Sequence, residues 1–167
     1  KDALAKTQKG AWKYDIVEAG YKCNMTDIMA ALGLVELERY DEDTLVKRKA
    51  VFDFYAKALS GKAWAEIPEY ESREKRSSYH VFALRIKGIT EAQRDEIIRN
   101  IFEKDVSVNV HFRPVPMMSF YISLGYDMAN YPVCYDNYSR EISLPVFYDL
   151  TPEQMSTVTD AVITSVE

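Results

Sequence analysis

The chain has 167 residues, a formal net charge of −5 and an isoelectric point near 5.2, and it is the size of one ordinary domain. Apolar residues make up 47% and charged residues 28%, the balance of a globular protein, and no apolar run approaches the ~18 residues of a membrane-spanning helix. The acidic charge argues against a nucleic-acid partner held by a basic surface, and the lack of a long apolar run argues against a membrane, so we expect neither as a partner.

Cysteine and histidine are scarce. The two cysteines, Cys23 and Cys134, and the two histidines show no zinc-binding spacing, so no metal site is expected. The count allows a Cys23–Cys134 disulfide, but reduced thiols in a cytoplasmic protein are favoured. The first residues lack the apolar core of a secretion signal, and the missing initiator Met indicates a processed or truncated chain.

Two long helices are predicted in the first third of the chain. Thr26 is suited to cap the first, because its hydroxyl can accept a hydrogen bond from an amide one turn on. Asp41 or Asp43 is predicted to cap the second helix, and Ser60-Gly61 to end it. Apolar residues follow helical spacing in both, and those of the first helix form a surface that is left exposed or covered by a dimer partner.

Strands and helices alternate in the remainder. Residues 66–78 are predicted to be an exposed connector and residues 78–86 a strand. His80, Phe82, Leu84 and Ile86 are predicted to share the apolar face of this strand, with His80 as a buried core residue. Capping boxes at Thr90 and Thr151 begin two further helices. Residues 106–112 are predicted to be a strand, followed by an irregular stretch and a short strand. This order predicts an α+β fold with a small sheet covered by helices.

Polar side chains at the end of the second strand suggest a ligand site. Alternation places Val106, Val108, Val110 and Phe112 on one face, and Ser107, Asn109 and His111 on the other. Pro114 and Pro116 then prevent further strand pairing. His111 and Arg113 at a strand end suit an anionic ligand, since both can donate hydrogen bonds to phosphate or carboxylate. From the residues alone, an ordinary strand-end histidine is the alternative.

The run from Gly20 to Leu34 reads Gly-Tyr-Lys-Cys-Asn-Met-Thr-Asp-Ile-Met-Ala-Ala-Leu-Gly-Leu. It resembles a segment of the DegT/DnrJ/StrS family of pyridoxal-phosphate-dependent sugar aminotransferases. Three further stretches resemble that family in the same order: residues 12–18, residues 106–116, and the Ser-Leu-Pro run at residues 143–145 with the Leu-Thr-Pro-Glu-Gln run at residues 150–154. His111 matches the first family histidine, whereas Pro116 stands where the family has a second. The Ser-Leu-Pro run is interpreted as structural.

The resemblance implies a fold and a place in it. The chain would be the carboxy-terminal part of a fold-type-I aminotransferase, with residues 1–25 a lead-in and interface segment and residues 26–167 the small domain. The Schiff-base lysine and most of the pyridoxal phosphate site would lie upstream, so the fragment alone would be inactive and hold no catalytic residue. Lys22 and Asn24 would reach the cofactor phosphate of the other subunit in a homodimer, and His111 and Arg113 would bind substrate.

The same resemblance implies the reaction. The complete enzyme would transfer an amino group, usually from glutamate, to a nucleotide-linked keto-sugar for cell-surface polysaccharide or amino-sugar biosynthesis. Two alternatives stay open. One is a sugar dehydratase of the same family, in which histidine replaces the upstream lysine. The other is a non-catalytic binding module.

Overall fold

The computed structural model describes residues 12–21 and 23–167, and the first helix begins where the sequence predicts. Helix α1 spans Asp27–Glu38, and the Thr26 hydroxyl accepts a hydrogen bond from the Met29 N–H at 3.4 Å. Helix α2 spans Leu45–Leu59 and ends at Ser60. Within the described residues, no helix is long and apolar enough to cross a membrane.

The predicted cap between these two helices is wrong. A π-helical turn, Tyr40–Thr44, connects α1 to α2 without a side-chain cap. The N–H groups of Asp43 and Thr44 both donate to the Arg39 carbonyl, at 3.1 and 3.4 Å, so the aspartates have no free amides to accept from. Asp43 instead accepts a hydrogen bond from the Tyr148 hydroxyl at 2.5 Å and pairs with Lys47 at 3.0 Å.

Three antiparallel strands form the sheet in the order β1–β2–β3, and they span Ala65–Glu66, Phe82–Ile86 and Glu141–Leu144. The side chains of Phe82, Leu84 and Ile86 are buried as predicted. His80 is exposed, so its predicted burial is wrong. The cause is local: Tyr79 adopts a left-handed conformation (φ 49°), which breaks the alternation and puts its own ring in the core.

The segment before β3 pairs less than the sequence predicts. Val106, Val108 and Val110 are buried as expected, but among the described residues the segment makes one bridge, from Asn109 to Ser143 of β3. The predicted inward position of Phe112 is wrong: its side chain is 62% exposed, because the chain bends at His111 and leaves the extended conformation. The predicted irregular stretch contains two helices, α4 (Ser119–Ser123) and α5 (Pro132–Arg140).

Two capping boxes begin the remaining helices as predicted. Helix α3 spans Glu91–Phe102 after Thr90, and α6 spans Pro152–Val166 after Thr151. Helix α6 contacts both α2 and α3, while α3 contacts β3 and α5 contacts β2. The core between them includes Trp12 as well as fully buried Arg94. Helix α1 has no buried residue, which agrees with the expected exposed apolar surface on this helix.

Candidate functional site

His111 lies at the centre of a polar cluster beside β3. Its ring atom Nδ1 is 2.8 Å from the hydroxyl oxygen of Ser143, and its main-chain N–H donates to Oε2 of Glu141 at 3.0 Å. The Ser143 hydroxyl donates to Oε1 of the same carboxylate. The three residues therefore form a continuous chain of hydrogen bonds from a carboxylate to an imidazole.

The bridge between Asn109 and Ser143 brings this cluster together. The Asn109 N–H donates to the Ser143 carbonyl at 3.1 Å, and the Ser143 N–H donates back at 2.8 Å. Residues two apart along a strand share a face, so Glu141 lies beside Ser143 and His111 beside Asn109. One bridged pair thus places the carboxylate, hydroxyl and imidazole within reach of one another.

Burial controls the charge of Glu141. The residue is only 5% exposed, and burial raises the pKa of Glu141 to about 7, since an ionised carboxylate loses its hydration there. The hydrogen bonds from the Ser143 hydroxyl and the His111 N–H, together with the positive charge of Arg94, partly oppose this rise of the pKa. Glu141 is therefore a carboxyl group that changes protonation near neutral pH.

Two clefts meet at His111. The larger, of about 510 Å³, is lined by Lys75, Arg85, His111 and Cys134 among others. The smaller, of about 270 Å³, lies on the Asn109 and Ser143 side of the imidazole. His111 contributes to both, so a ligand in either cleft would contact its ring.

Arg113 is held by the segment at the start of the described chain. Its guanidinium donates to the Tyr14 carbonyl at 3.1 Å and lies 3.8 Å from the Asp15 carboxylate. Asp15 in turn accepts hydrogen bonds from the main chain and side chain of Ser119. Arg113 is not among the residues that line the two clefts of the described structure. A role in substrate binding stays a prediction for this side chain.

The predicted phosphate contacts precede α1. Asn24 is exposed and makes no side-chain hydrogen bond with another described residue, and Lys22 lies outside the described residues. Cys23 and Cys134 are free and exposed. In the part of the chain that the structure describes, no group of three or more His, Cys, Asp or Glu side chains is arranged to hold a metal ion.

Glu141 and Ser143 are site residues that the sequence analysis does not predict, because it assigns the Ser-Leu-Pro run a structural role. A signal was present: the short strand alternates Glu141, Ile142, Ser143, Leu144, so its two polar side chains share a face. Buried polar side chains need hydrogen-bond partners. The predicted polar face that ends in His111 offers such partners.

The fold is of the α+β class, a short antiparallel sheet with helices packed on it. The family model of the DegT/DnrJ/EryC1/StrS aminotransferase family matches residues 3–163, and the chain belongs to this family. The predicted fold is confirmed: the helices and small sheet match part of a fold-type-I aminotransferase.

Solved and curated relatives agree with this assignment. The putative sugar aminotransferase Spr1654 of Streptococcus pneumoniae, solved in its PMP form, is 39% identical with a TM-score of 0.80, over 99% of this chain and 41% of that chain. The spore coat polysaccharide biosynthesis protein SpsC of Bacillus subtilis is 29% identical over 93% of this chain and 40% of its own.

A third relative is named for its reaction. The UDP-4-amino-4,6-dideoxy-N-acetyl-beta-L-altrosamine transaminase of Campylobacter jejuni is 27% identical over 96% of this chain and 42% of its own. Spr1654 has also been solved in a PLP form, at a TM-score of 0.80. The chain spans about 40% of the length of the relatives it matches.

Proposed function

We propose that these residues are the carboxy-terminal part of an enzyme that transfers an amino group from glutamate to a nucleotide-linked keto-sugar. The observation that carries the proposal is the match of 99% of the chain, at 39% identity, to a solved putative sugar aminotransferase. The relatives named for polysaccharide biosynthesis and for a UDP-amino-sugar transaminase support a sugar as the amino acceptor.

The residues before α1 fit a phosphate-bearing cofactor. Asn24 is exposed and its side-chain amide is a hydrogen-bond donor, as is the ammonium of Lys22 in the sequence. Both donor types suit the phosphate of pyridoxal phosphate, and we assign them to it across a homodimer interface that residues 1–25 help to form. When bound, this cofactor supplies the electron sink for amino-group transfer. The lysine that holds it covalently is assigned to a part of the enzyme outside these residues.

His111 and Arg113 complete the assignment on the substrate side. The His111 ring reaches two clefts and is held at Nδ1 by Ser143, so its orientation is set before a ligand arrives. Arg113 holds the residues around Tyr14 against the 26–167 domain, and its charge stays close to the strand end. We assign His111 to a polar group of the sugar nucleotide and Arg113 to its anionic part.

A labelled amino donor tests the proposal. The complete enzyme, loaded with pyridoxal phosphate, is incubated with a UDP-linked keto-sugar and ¹⁵N-glutamate, and the sugar product is analysed by mass spectrometry. Appearance of ¹⁵N in the sugar with release of 2-oxoglutarate supports the proposal. Loss of water from the sugar without gain of nitrogen overturns it in favour of a dehydratase. Binding of the sugar nucleotide without any conversion overturns it in favour of a binding module.

A further inference from the structure

One hydroxyl proton links Glu141 to His111. The Ser143 hydroxyl has a single hydrogen but two neighbours that can use it, the Glu141 carboxylate and Nδ1 of the imidazole. An ionised carboxylate can only accept, so Ser143 then donates to Glu141 and accepts from an Nδ1–H group. A protonated carboxyl can donate to the hydroxyl oxygen, which leaves Ser143 to donate to a bare Nδ1. The ring proton then sits on Nε2.

We propose that Glu141 acts through the Ser143 hydroxyl to decide which ring nitrogen of His111 carries the proton. Glu141 and Ser143 are thus positioning residues for the imidazole. The significance for substrate rests on the proposed function, but the proton arrangement itself does not. With Glu141 ionised, Nε2 is an acceptor, suited to a sugar hydroxyl. With Glu141 neutral, Nε2–H is a donor, suited to a carbonyl or phosphate oxygen.

The hydrogen bonds that link Glu141, Ser143 and His111 are fixed by burial and by the geometry of the carboxylate. Ser143 is 4% exposed and Glu141 5%, so water has little access to either side chain. The carboxylate is held at both oxygens, since Oε2 accepts the His111 N–H at 3.0 Å while Oε1 receives the hydroxyl. It therefore cannot rotate away without losing a buried hydrogen bond, which is costly.

Burial, rather than the surrounding charges, dominates the protonation of Glu141. From α3, Arg94 donates to the main-chain carbonyls of Tyr138 and Glu141, and no bond from it to the Glu141 carboxylate is formed in the described structure. The other charged or titratable groups around the larger cleft come from the connector, β2 and α5, and are Glu69, Lys75, Arg85, Cys134 and Tyr138. Lys75 pairs with Glu69, and Arg85 pairs with Glu66. Because burial dominates, the pKa of Glu141 rises to about 7 and both of its states are populated near neutral pH.

NMR of ¹⁵N-histidine reads the ring proton directly. Two-bond ¹H–¹⁵N correlation spectra of the complete protein distinguish a nitrogen that carries hydrogen from one that does not, and the His111 signals are those lost in His111→Gln. We expect the His111 proton to move from Nε2 to Nδ1 as the pH is raised through about 7. A doubly protonated ring is recognised by two hydrogen-bearing nitrogens and is counted separately.

Glu141→Gln and Ser143→Ala are the test variants, and Glu96→Gln, an exposed glutamate on α3, is the matched control. Both test variants should lose the pH-dependent move of the proton, while the control keeps it. A shift that persists in Glu141→Gln or in Ser143→Ala overturns the proposal. If a variant does not fold, the unmodified protein still decides: one unchanging neutral tautomer on both sides of about pH 7 overturns the proposal. None of these readouts needs substrate or turnover, so failure of the proposed function is recognised separately.

Discussion

The guanidinium carbon of Arg94 lies 4.8 Å from the centre of the Trp12 ring, and the Tyr138 ring is equally near. Arg94 is fully buried and donates to the main-chain carbonyls of Tyr138 and Glu141, at 2.6 and 3.1 Å, and to the Asp95 carboxylate at 2.8 Å. One cation therefore joins the segment around Trp12 to α3, α5 and β3. It also fixes the main chain of the residue that holds His111.

Replacing Arg94 should lower the stability of the folded protein. Arg94→Met is of similar volume but removes the guanidinium that donates to the Tyr138 and Glu141 carbonyls, so we expect a loss of roughly 3 kcal/mol in the free energy of unfolding. The measurement is the urea midpoint, with Arg99→Met on the exposed side of the same helix as control, expected within about 0.5 kcal/mol of the unmodified protein. Equal midpoints for the two variants would contradict the role of Arg94.

His111→Ala should impair turnover of the sugar more than binding of the cofactor. A hydrogen bond to a charged group contributes about 1.5–3 kcal/mol, so kcat/KM for the sugar nucleotide should fall roughly 10- to 100-fold. The cofactor Kd should change little, and His111→Gln, which keeps a hydrogen-bonding group, should recover part of the loss. Unchanged kinetics in His111→Ala would leave this side chain as a structural strand-end residue.

Lys22 and Asn24 should act on the partner subunit's cofactor. A hybrid dimer tests this: one subunit lacks the covalent lysine, and the other carries Lys22→Ala with Asn24→Ala. If the contact crosses the interface, the site with the intact lysine receives unmutated donors. The hybrid should then keep about half of the activity, since one of two sites survives.

The double-mutant homodimer is the reference for this comparison, and it should lose most of its cofactor affinity. A hybrid as inactive as that homodimer would show that both residues act within their own subunit.

Glu141 should make the protein less stable as the pH rises toward neutrality. Its pKa in the folded protein, about 7, lies above the ordinary value of 4.5, so the folded state favours the protonated carboxyl. That contribution is complete below about pH 4.5 and is lost as the pH rises through about 7. Over this window the unfolding free energy should fall by roughly 3 kcal/mol relative to Glu141→Gln.

Denaturant unfolding of both proteins across this pH range measures the difference. The carboxylates whose pKa values are lowered, such as Asp43 and Glu71, contribute equally to both proteins and cancel. Parallel curves for the two proteins would mean that Glu141 titrates normally.

The 167 residues by themselves should bind pyridoxal phosphate weakly. Asn24 and Lys22 provide only a few donors, and the covalent lysine is assigned elsewhere. Titration of this chain with the cofactor should show no new absorbance band and no saturation at micromolar concentrations. Sub-micromolar binding with a covalent absorbance band would reject the assignment of the lysine to another part of the enzyme.

Local features of the fold followed from the sequence. The Thr26 cap and the capping boxes at Thr90 and Thr151 join residues three apart, so their side chains and amides meet whatever the rest of the chain does. The family was also readable, because its segments occur in order along the chain. In the site, the polar face that ends in His111 followed from alternation alone.

The contacts between distant residues, in contrast, depend on the tertiary structure. His111 and Ser143 are 32 positions apart, and a single main-chain bridge at Asn109 sets their register, which no local pattern specifies. His80 is exposed because the left-handed backbone at Tyr79 reverses the faces, an effect that alternation cannot anticipate. The sequence alone identified an imidazole at a strand end, but packing placed the buried carboxyl of Glu141 behind it.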